Sequence, residues 1–123
     1  MSWTASWADC ADWFDAYAAD GAYSWARFFP GLLRRLCARE SGRGLYAHRW
    51  ATTVVVSRFG VHPDWAVGPK VELLALPGPR LEVTAFAAYG RRLECITLPV
   101  PVDLDKLDEW FRYVAGETER VKG

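Results

Sequence analysis

A change in the spacing of apolar residues near Gly44 constrains the fold of this chain more than any other feature. Before Gly44, apolar residues recur every three or four positions, as in Trp7, Cys10 and Phe14. After it, alternation and β-branched residues dominate, as in the segment 52–59. This order predicts helices followed by an antiparallel sheet, which is an α+β fold.

The predicted helices lie at both ends of the chain. In the helical part, residues 1–40, we expect an amphipathic helix from Thr4 to Ala19 and another from Pro30 to Glu40. The break between them is placed at Phe29, because a proline disfavours helical geometry in the residue before it. A closing helix is predicted over 103–116, with Gly116 as its stop.

The segment between the helices, residues 45–98, predicts a four-stranded antiparallel meander. The first strand covers 45–59 with a bulge near Ala51, and three more are expected at 71–76, 81–88 and 93–98. The short links at 77–79 and 89–91 carry turn residues and therefore favour hairpins. We expect one two-layer domain over 1–123, with the N-terminal helices and the closing helix packed on one face of the sheet.

Charge and cysteine content limit the classes of partner and compartment. Acidic and basic residues balance at 15 each, so no overall field attracts nucleic acid or an anionic membrane. No apolar segment approaches the roughly 20 residues that span a bilayer, and the first residues do not resemble a secretory leader. The three cysteines are widely separated, which favours reduced thiols and a cytoplasmic location.

Motifs for cofactor, metal and nucleophilic chemistry are missing from the sequence. No glycine-rich phosphate loop or GxSxG elbow is present, and His48 and His62 stand apart from each other and from every cysteine. The acidic residues near the closing helix, such as Asp103 and Asp108, are typical of helix capping. We therefore assign no cofactor, no metal and no catalytic residue.

Acidic and basic residues are segregated near the N-terminus. Four aspartates occur from Asp9 to Asp20, and six arginines follow from Arg27 to Arg49. Either the two segments pair with each other, or the arginines form a surface for phosphate or an acidic protein. Arg91 and Arg92, at a predicted hairpin tip, would extend that surface.

Tryptophan is unusually frequent, with seven residues in the chain. Trp3, Trp7 and Trp110 are expected to be structural, whereas Trp13, Trp50 and Trp65 have no assured place in the core. Indole rings at the margin of a sheet can stack on a flat ligand, hold a cation or anchor a protein partner. The predicted binding residues are Trp13, Tyr46, His48, Trp50, His62, Asp64, Trp65, Arg91 and Arg92.

These features lead to three functional hypotheses. The first is a non-catalytic binding module whose exposed aromatic and arginine residues contact a protein partner or a second copy, since the outer sheet face is expected to be half apolar. The second is a small-molecule receptor with an aromatic pocket for a planar, apolar or cationic ligand. The third, less favoured, is an enzyme with a histidine and a carboxylate in general acid–base roles.

Overall fold

The computed structural model describes residues 1–116 and has an α+β fold. This described part contains four α-helices, three short 3-10 helices and one antiparallel sheet of five strands. The helices are α1 (Trp3–Ala19), α2 (Phe28–Ala38), α3 (Asp64–Val67) and α4 (Asp105–Ala115). The strands are β1 (Tyr46–Trp50), β2 (Thr53–Ser57), β3 (Lys70–Leu76), β4 (Arg80–Ala87) and β5 (Arg91–Pro99). The residues after Gly116 in the predicted tail lie outside the described part.

The prediction of four strands is wrong, because the segment predicted as one bulged strand forms a hairpin. The five strands follow one another in chain order across the sheet. Trp50 pairs with Thr53, so only Ala51 and Thr52 form the turn. Ala51 has a φ of 54°, which favours glycine, asparagine or aspartate at such turns. The sequence gives no such residue here, and the hairpin is therefore invisible to a turn-based prediction.

Helix boundaries were predicted well except around Pro30. Gly116 has a φ of 84° and ends α4, which confirms the predicted stop. In contrast, α2 begins at Phe28, so Phe29 is helical and the predicted break there is wrong. Phe29 is fully buried in the core, and this burial outweighs the local preference set by the following proline. Pro30 lies in the first helical turn, where its missing N–H leaves no hydrogen bond unmade.

One core joins the helices to the sheet. Trp7 and Phe14 of α1, Leu33 of α2 and Phe111 of α4 are each at most 1% exposed. They belong to one cluster with alternate residues of the central strands, among them Leu73 and Val83. We call the opposite side of the sheet the outer face, which carries Thr53 and Val55 of β2, Glu72 of β3 and Thr84 of β4; Glu72 pairs with both Val55 and Thr84.

The edge strand β1 is covered by side chains of α1. The Ser6 hydroxyl accepts the Ala47 backbone N–H at 2.9 Å, and the Cys10 thiol donates to the Ala47 carbonyl at 3.7 Å. The Trp7 indole N–H donates to the Leu45 carbonyl at 2.8 Å. These contacts satisfy backbone groups that an open sheet edge would present to solvent.

Candidate ligand-binding site

The long segment 58–69 folds back over β1 and places Trp65 against the sheet. The Trp65 indole stacks on the His48 imidazole, with ring centroids 4.7 Å apart and planes 14° from parallel. His62 meets the same indole edge-on at 5.5 Å. A side chain at Gly68 would lie 2.6 Å from the Phe59 ring, so glycine permits this close fold. The predicted binding residue His48 of β1 is thereby brought together with two others, His62 and Trp65, from the segment 58–69.

The His48 ring is neutral at physiological pH. Its Nε2 lies 2.9 Å from the Phe59 carbonyl oxygen, which can only accept, so Nε2 carries the proton. Burial lowers the pKa of His48 from its usual 6.5, and the Phe59 hydrogen bond opposes that shift in part. The imidazole therefore links β1 to the segment 58–69 through this hydrogen bond.

Trp65 separates two concave regions of the surface. The first, which we call the β1 cleft, has a volume of about 530 Å³ and lies between α1 and β1. The second, which we call the Trp50–Trp65 depression, has a volume of about 270 Å³ and lies on the outer face below α3. Its lining residues are Trp50, Thr53, Val55, His62, Trp65, Ala66, Lys70 and Glu72.

In the β1 cleft, most polar and aromatic groups already bind other parts of the protein. The Trp13 ring stacks on Tyr17 at 5.1 Å, and the Arg49 guanidinium lies 4.0 Å from the Trp13 centroid. Burial raises the pKa of the Cys10 thiol to about 11, so this thiol stays protonated and is a poor nucleophile. Together with Ser6, these residues hold α1 against β1.

The Trp50–Trp65 depression, in contrast, has an aromatic ring that stacks on no other ring in the described part of the chain. Trp50 is 69% exposed and stacks on no other ring within residues 1–116. On the outer face beside it, the Lys70 ammonium and the Glu72 carboxylate form an ion pair at 3.2 Å. Lys70 also lies 5.1 Å from the Phe86 ring centroid. The depression thus combines two indoles, a cation and an anion.

The predicted binding residues separate into three groups. Trp13, Tyr46 and His48 line the β1 cleft, Trp50 and His62 line the depression, and Trp65 lines both. Asp64 is exposed at the start of α3 and lines neither region. Arg91 and Arg92 are exposed at the start of β5, on another part of the sheet.

Lys70 and Glu72 were not predicted as binding residues. Both lie on β3, and their even spacing places them on the same side of the strand. That alternation was visible in the sequence, but the tryptophans next to them were not, because Trp50 and Trp65 come from other elements.

The segregated charges of the N-terminal half pair with each other in part. Arg34 donates to Asp12 at 3.0 Å and to Asp15 at 2.6 Å. Arg39 binds Asp105 and Asp108 of α4, both at 2.7 Å. The first of the two alternatives from the sequence therefore applies to Arg34, and these arginines are not a free basic surface.

Neither a protein-family model, a curated protein nor a solved structure matches the chain. Within residues 1–116, no cluster of histidine, cysteine and acidic side chains is arranged to hold a metal ion. In the same part of the chain, every helix is too short or too polar to cross a bilayer.

Proposed function

We propose that this protein is a non-catalytic receptor for a small planar ligand, which binds in the Trp50–Trp65 depression. The observation that carries this proposal is the exposed, unstacked indole of Trp50 facing the same depression as Trp65. An indole in water leaves a large apolar area exposed, and stacking a flat ligand against it removes that area from solvent.

The charges beside the indoles favour a ligand with both a donor and an acceptor. The Lys70 ammonium donates hydrogen bonds and the Glu72 carboxylate accepts them. Because Lys70 compensates the charge of Glu72, a purely cationic ligand gains less here than a planar zwitterion or heteroaromatic compound. The expected ligand class is therefore a flat ring system with polar groups of both kinds.

A receptor is favoured over a general acid–base enzyme by the surroundings of the histidines. Neither His48 nor His62 is hydrogen-bonded to a carboxylate within residues 1–116. The proton on the His48 Nε2 is held by a backbone carbonyl, and the ring face is covered by Trp65. An acid–base residue needs its proton within reach of the substrate.

The other hypothesis from the sequence is that this protein binds a protein partner or a second copy of itself, and this stays a prediction. Its arginine-rich surface is a weaker candidate, because Arg34 and Arg39 are engaged in ion pairs. The outer face is also divided by polar residues such as Glu72 and Thr84, which reduces the apolar area that a homodimer would bury.

Thermal unfolding with a panel of planar compounds tests the proposal. We expect a flat zwitterion or heteroaromatic compound to stabilise the fold, by about 2.7 kcal/mol when its concentration is about 100 times its Kd. The same compound should leave Trp50→Ala unchanged, since that substitution removes one wall of the depression. Tyr89→Ala is the matched control, because Tyr89 is an exposed aromatic residue outside the depression.

Two outcomes would contradict the proposal. If no compound of the panel raises the melting temperature of the wild type, the depression is not a site for planar ligands. If a compound stabilises Trp50→Ala as much as the wild type, it binds elsewhere. A quaternary ammonium compound that stabilises more than the flat ones would replace the planar ligand class by a cationic one.

A further inference from the structure

We propose that β5 is a docking strand to which an extended, acidic segment of another protein adds by backbone hydrogen bonding. This inference is independent of the ligand proposed for the Trp50–Trp65 depression. Strand addition is a common mode of peptide recognition, in which main-chain hydrogen bonds give affinity and side chains give specificity.

The two edges of the sheet differ in how they are protected. At β1, side chains of α1 bind the outward N–H and C=O of Ala47. At β5, no hydrogen bond within residues 1–116 reaches the strand backbone from outside the sheet. Six of its nine residues are exposed. As far as residues 1–116 are concerned, the β5 edge is therefore the one open to another strand.

The alternation of an antiparallel sheet identifies which β5 groups point outward. A turn of two residues makes Trp50 and Thr53 a hydrogen-bonded pair. Along each strand, successive residues point their N–H and C=O alternately toward one neighbouring strand and toward the other. Following this alternation from β1 across the sheet, the N–H and C=O of Ile96 point toward β4, and those of Cys95 and Thr97 point away from it. The pairings used are Trp50–Thr53, Val54–Leu73, Leu74–Glu82 and Val83–Ile96.

Two independent features agree with this assignment. The same alternation turns Ala47 away from β2, where its backbone groups do bind α1. It also turns Pro99 toward the open edge, the position where a strand tolerates a residue without an N–H. An added strand would thus bond to the backbone of Cys95 and Thr97.

The charges near this edge favour an acidic partner. Arg91 and Arg92 are exposed at the start of β5 and form no ion pair within residues 1–116. The nearest carboxylate along the strand, Glu94, accepts a hydrogen bond from the Trp110 indole at 2.6 Å. A second copy of β5 is less suitable as the partner. If it added in the antiparallel direction, its end at Leu98 and Pro99 would lie beside these arginines, and that end has no carboxylate.

Tyr89 adds an aromatic anchor next to the arginines. It is 87% exposed and has a φ of 61°, a conformation that an aromatic residue adopts only at a free-energy cost. Tyrosine and arginine are common among the residues that dominate protein interfaces. The hairpin tip therefore presents the residue types of a docking surface beside the open strand.

A short peptide that alternates valine with glutamate, labelled with a fluorophore, serves as the probe. We expect saturable binding by fluorescence anisotropy, with about tenfold weaker binding or more for the lysine version of the peptide. Added salt should weaken the acidic complex, because exposed charges are screened. Arg91→Glu combined with Arg92→Glu should reverse the preference between the two peptides.

Thr97→Pro tests the backbone part of the proposal. The substitution deletes an outward N–H without removing a bond to β4, and Thr97→Ala is the matched control. We expect Thr97→Pro to lose about tenfold or more in affinity for the acidic peptide, while Thr97→Ala keeps it. Circular dichroism of both variants shows whether the sheet is intact, and Arg91→Glu provides a second variant that leaves the strand backbone untouched.

Three results would overturn the proposal. The first is the absence of binding to the acidic peptide by the wild type. The second is equal binding by Thr97→Pro and Thr97→Ala, which would separate any peptide site from the β5 edge. The third is a dimer in light scattering that Thr97→Pro abolishes, which would make a second copy the occupant.

Discussion

At the residue level, the tryptophans differ in whether their rings pack against other residues of the protein. Trp7 and Trp110 are buried and donate indole N–H bonds to Leu45 and Glu94, in line with the structural role expected for them. Trp13 stacks on Tyr17, whereas Trp50 stacks on no ring among residues 1–116. The spacing of these residues along the chain predicts burial for Trp7, but it carries no information on contacts between distant segments.

Tyr89 has a backbone conformation that we expect to reduce the stability of the fold. Tyr89→Asn should raise the free energy of unfolding by about 1 kcal/mol relative to Tyr89→Ala, because asparagine tolerates a positive φ better than other non-glycine residues. The side chain of Tyr89 is 87% exposed, so its removal loses little buried area. Urea unfolding measures the difference.

Tyr89→Ala is the reference in that comparison because it removes the ring and keeps the unfavourable backbone conformation. Equal stability of the asparagine and alanine variants would contradict the expected advantage of asparagine at a φ of 61°. A higher stability of Tyr89→Asn together with weaker binding of the acidic peptide would fit a residue kept for docking rather than folding.

At the scale of elements, Asp108 makes most of the hydrogen bonds that join α4 to the end of α2, and Asp105 adds one more to Arg39. Asp108 accepts hydrogen bonds from Arg39 Nε at 3.1 Å, from Arg39 Nη2 at 2.7 Å and from the Ser41 hydroxyl at 2.7 Å. The prediction that the acidic residues here are capping groups holds for Asp103, which accepts the Asp105 N–H at 3.1 Å. Asp108 instead makes contacts to residues far away in sequence.

We expect Asp108→Asn to destabilise the protein by about 1–3 kcal/mol, since it weakens charge-assisted hydrogen bonds to a group that is only 15% exposed. Asp12→Asn is the matched control. Asp12 also binds an arginine but is 74% exposed, and such pairs contribute about 0–1 kcal/mol. Chemical denaturation of both variants gives the comparison, and equal losses would contradict the role assigned to Asp108.

At the scale of the whole molecule, stability should fall in acid over two separate ranges of pH. Burial lowers the pKa of His48 below 6.5, so the unfolded chain binds this proton more tightly. The contribution of neutral His48 is therefore present above about pH 6.5 and is lost as the pH falls toward its folded-state pKa. Hydrogen bonding to Arg39 lowers the pKa of Asp108 below 3.8, so its contribution persists above that value and is lost at more acidic pH.

Unfolding free energies measured between about pH 8 and about pH 2 test this order of events, since a shift of one pKa unit corresponds to about 1.4 kcal/mol. His48→Gln should remove the loss in the upper range and keep the loss in the lower one. His62→Gln is the control for replacing a histidine in the same region. If His48→Gln has the same pH dependence as the wild type, the imidazole does not couple folding to pH.

The spacing of apolar residues along the chain is enough to predict the type of most elements, because helices and strands bury residues at different spacings. The sequence located α1 to within a residue, the stop of α4 at Gly116 and the last three strands. The prediction from sequence failed at two places. Burial of Phe29 extends α2 across the expected break, although the local preference there is against a helix. The β1–β2 turn forms at Ala51, which is not a typical turn residue.

Which side chains meet depends on how the elements pack in three dimensions. Trp65 stacks on His48, and Trp50 faces the same depression as Lys70 and Glu72, although these residues come from three different elements, β1, α3 and β3. The open edge of β5 likewise depends on the number of strands and on α1 covering β1. The physical reason is that periodicity reports which side of an element is buried, whereas a site depends on the relative placement of several elements.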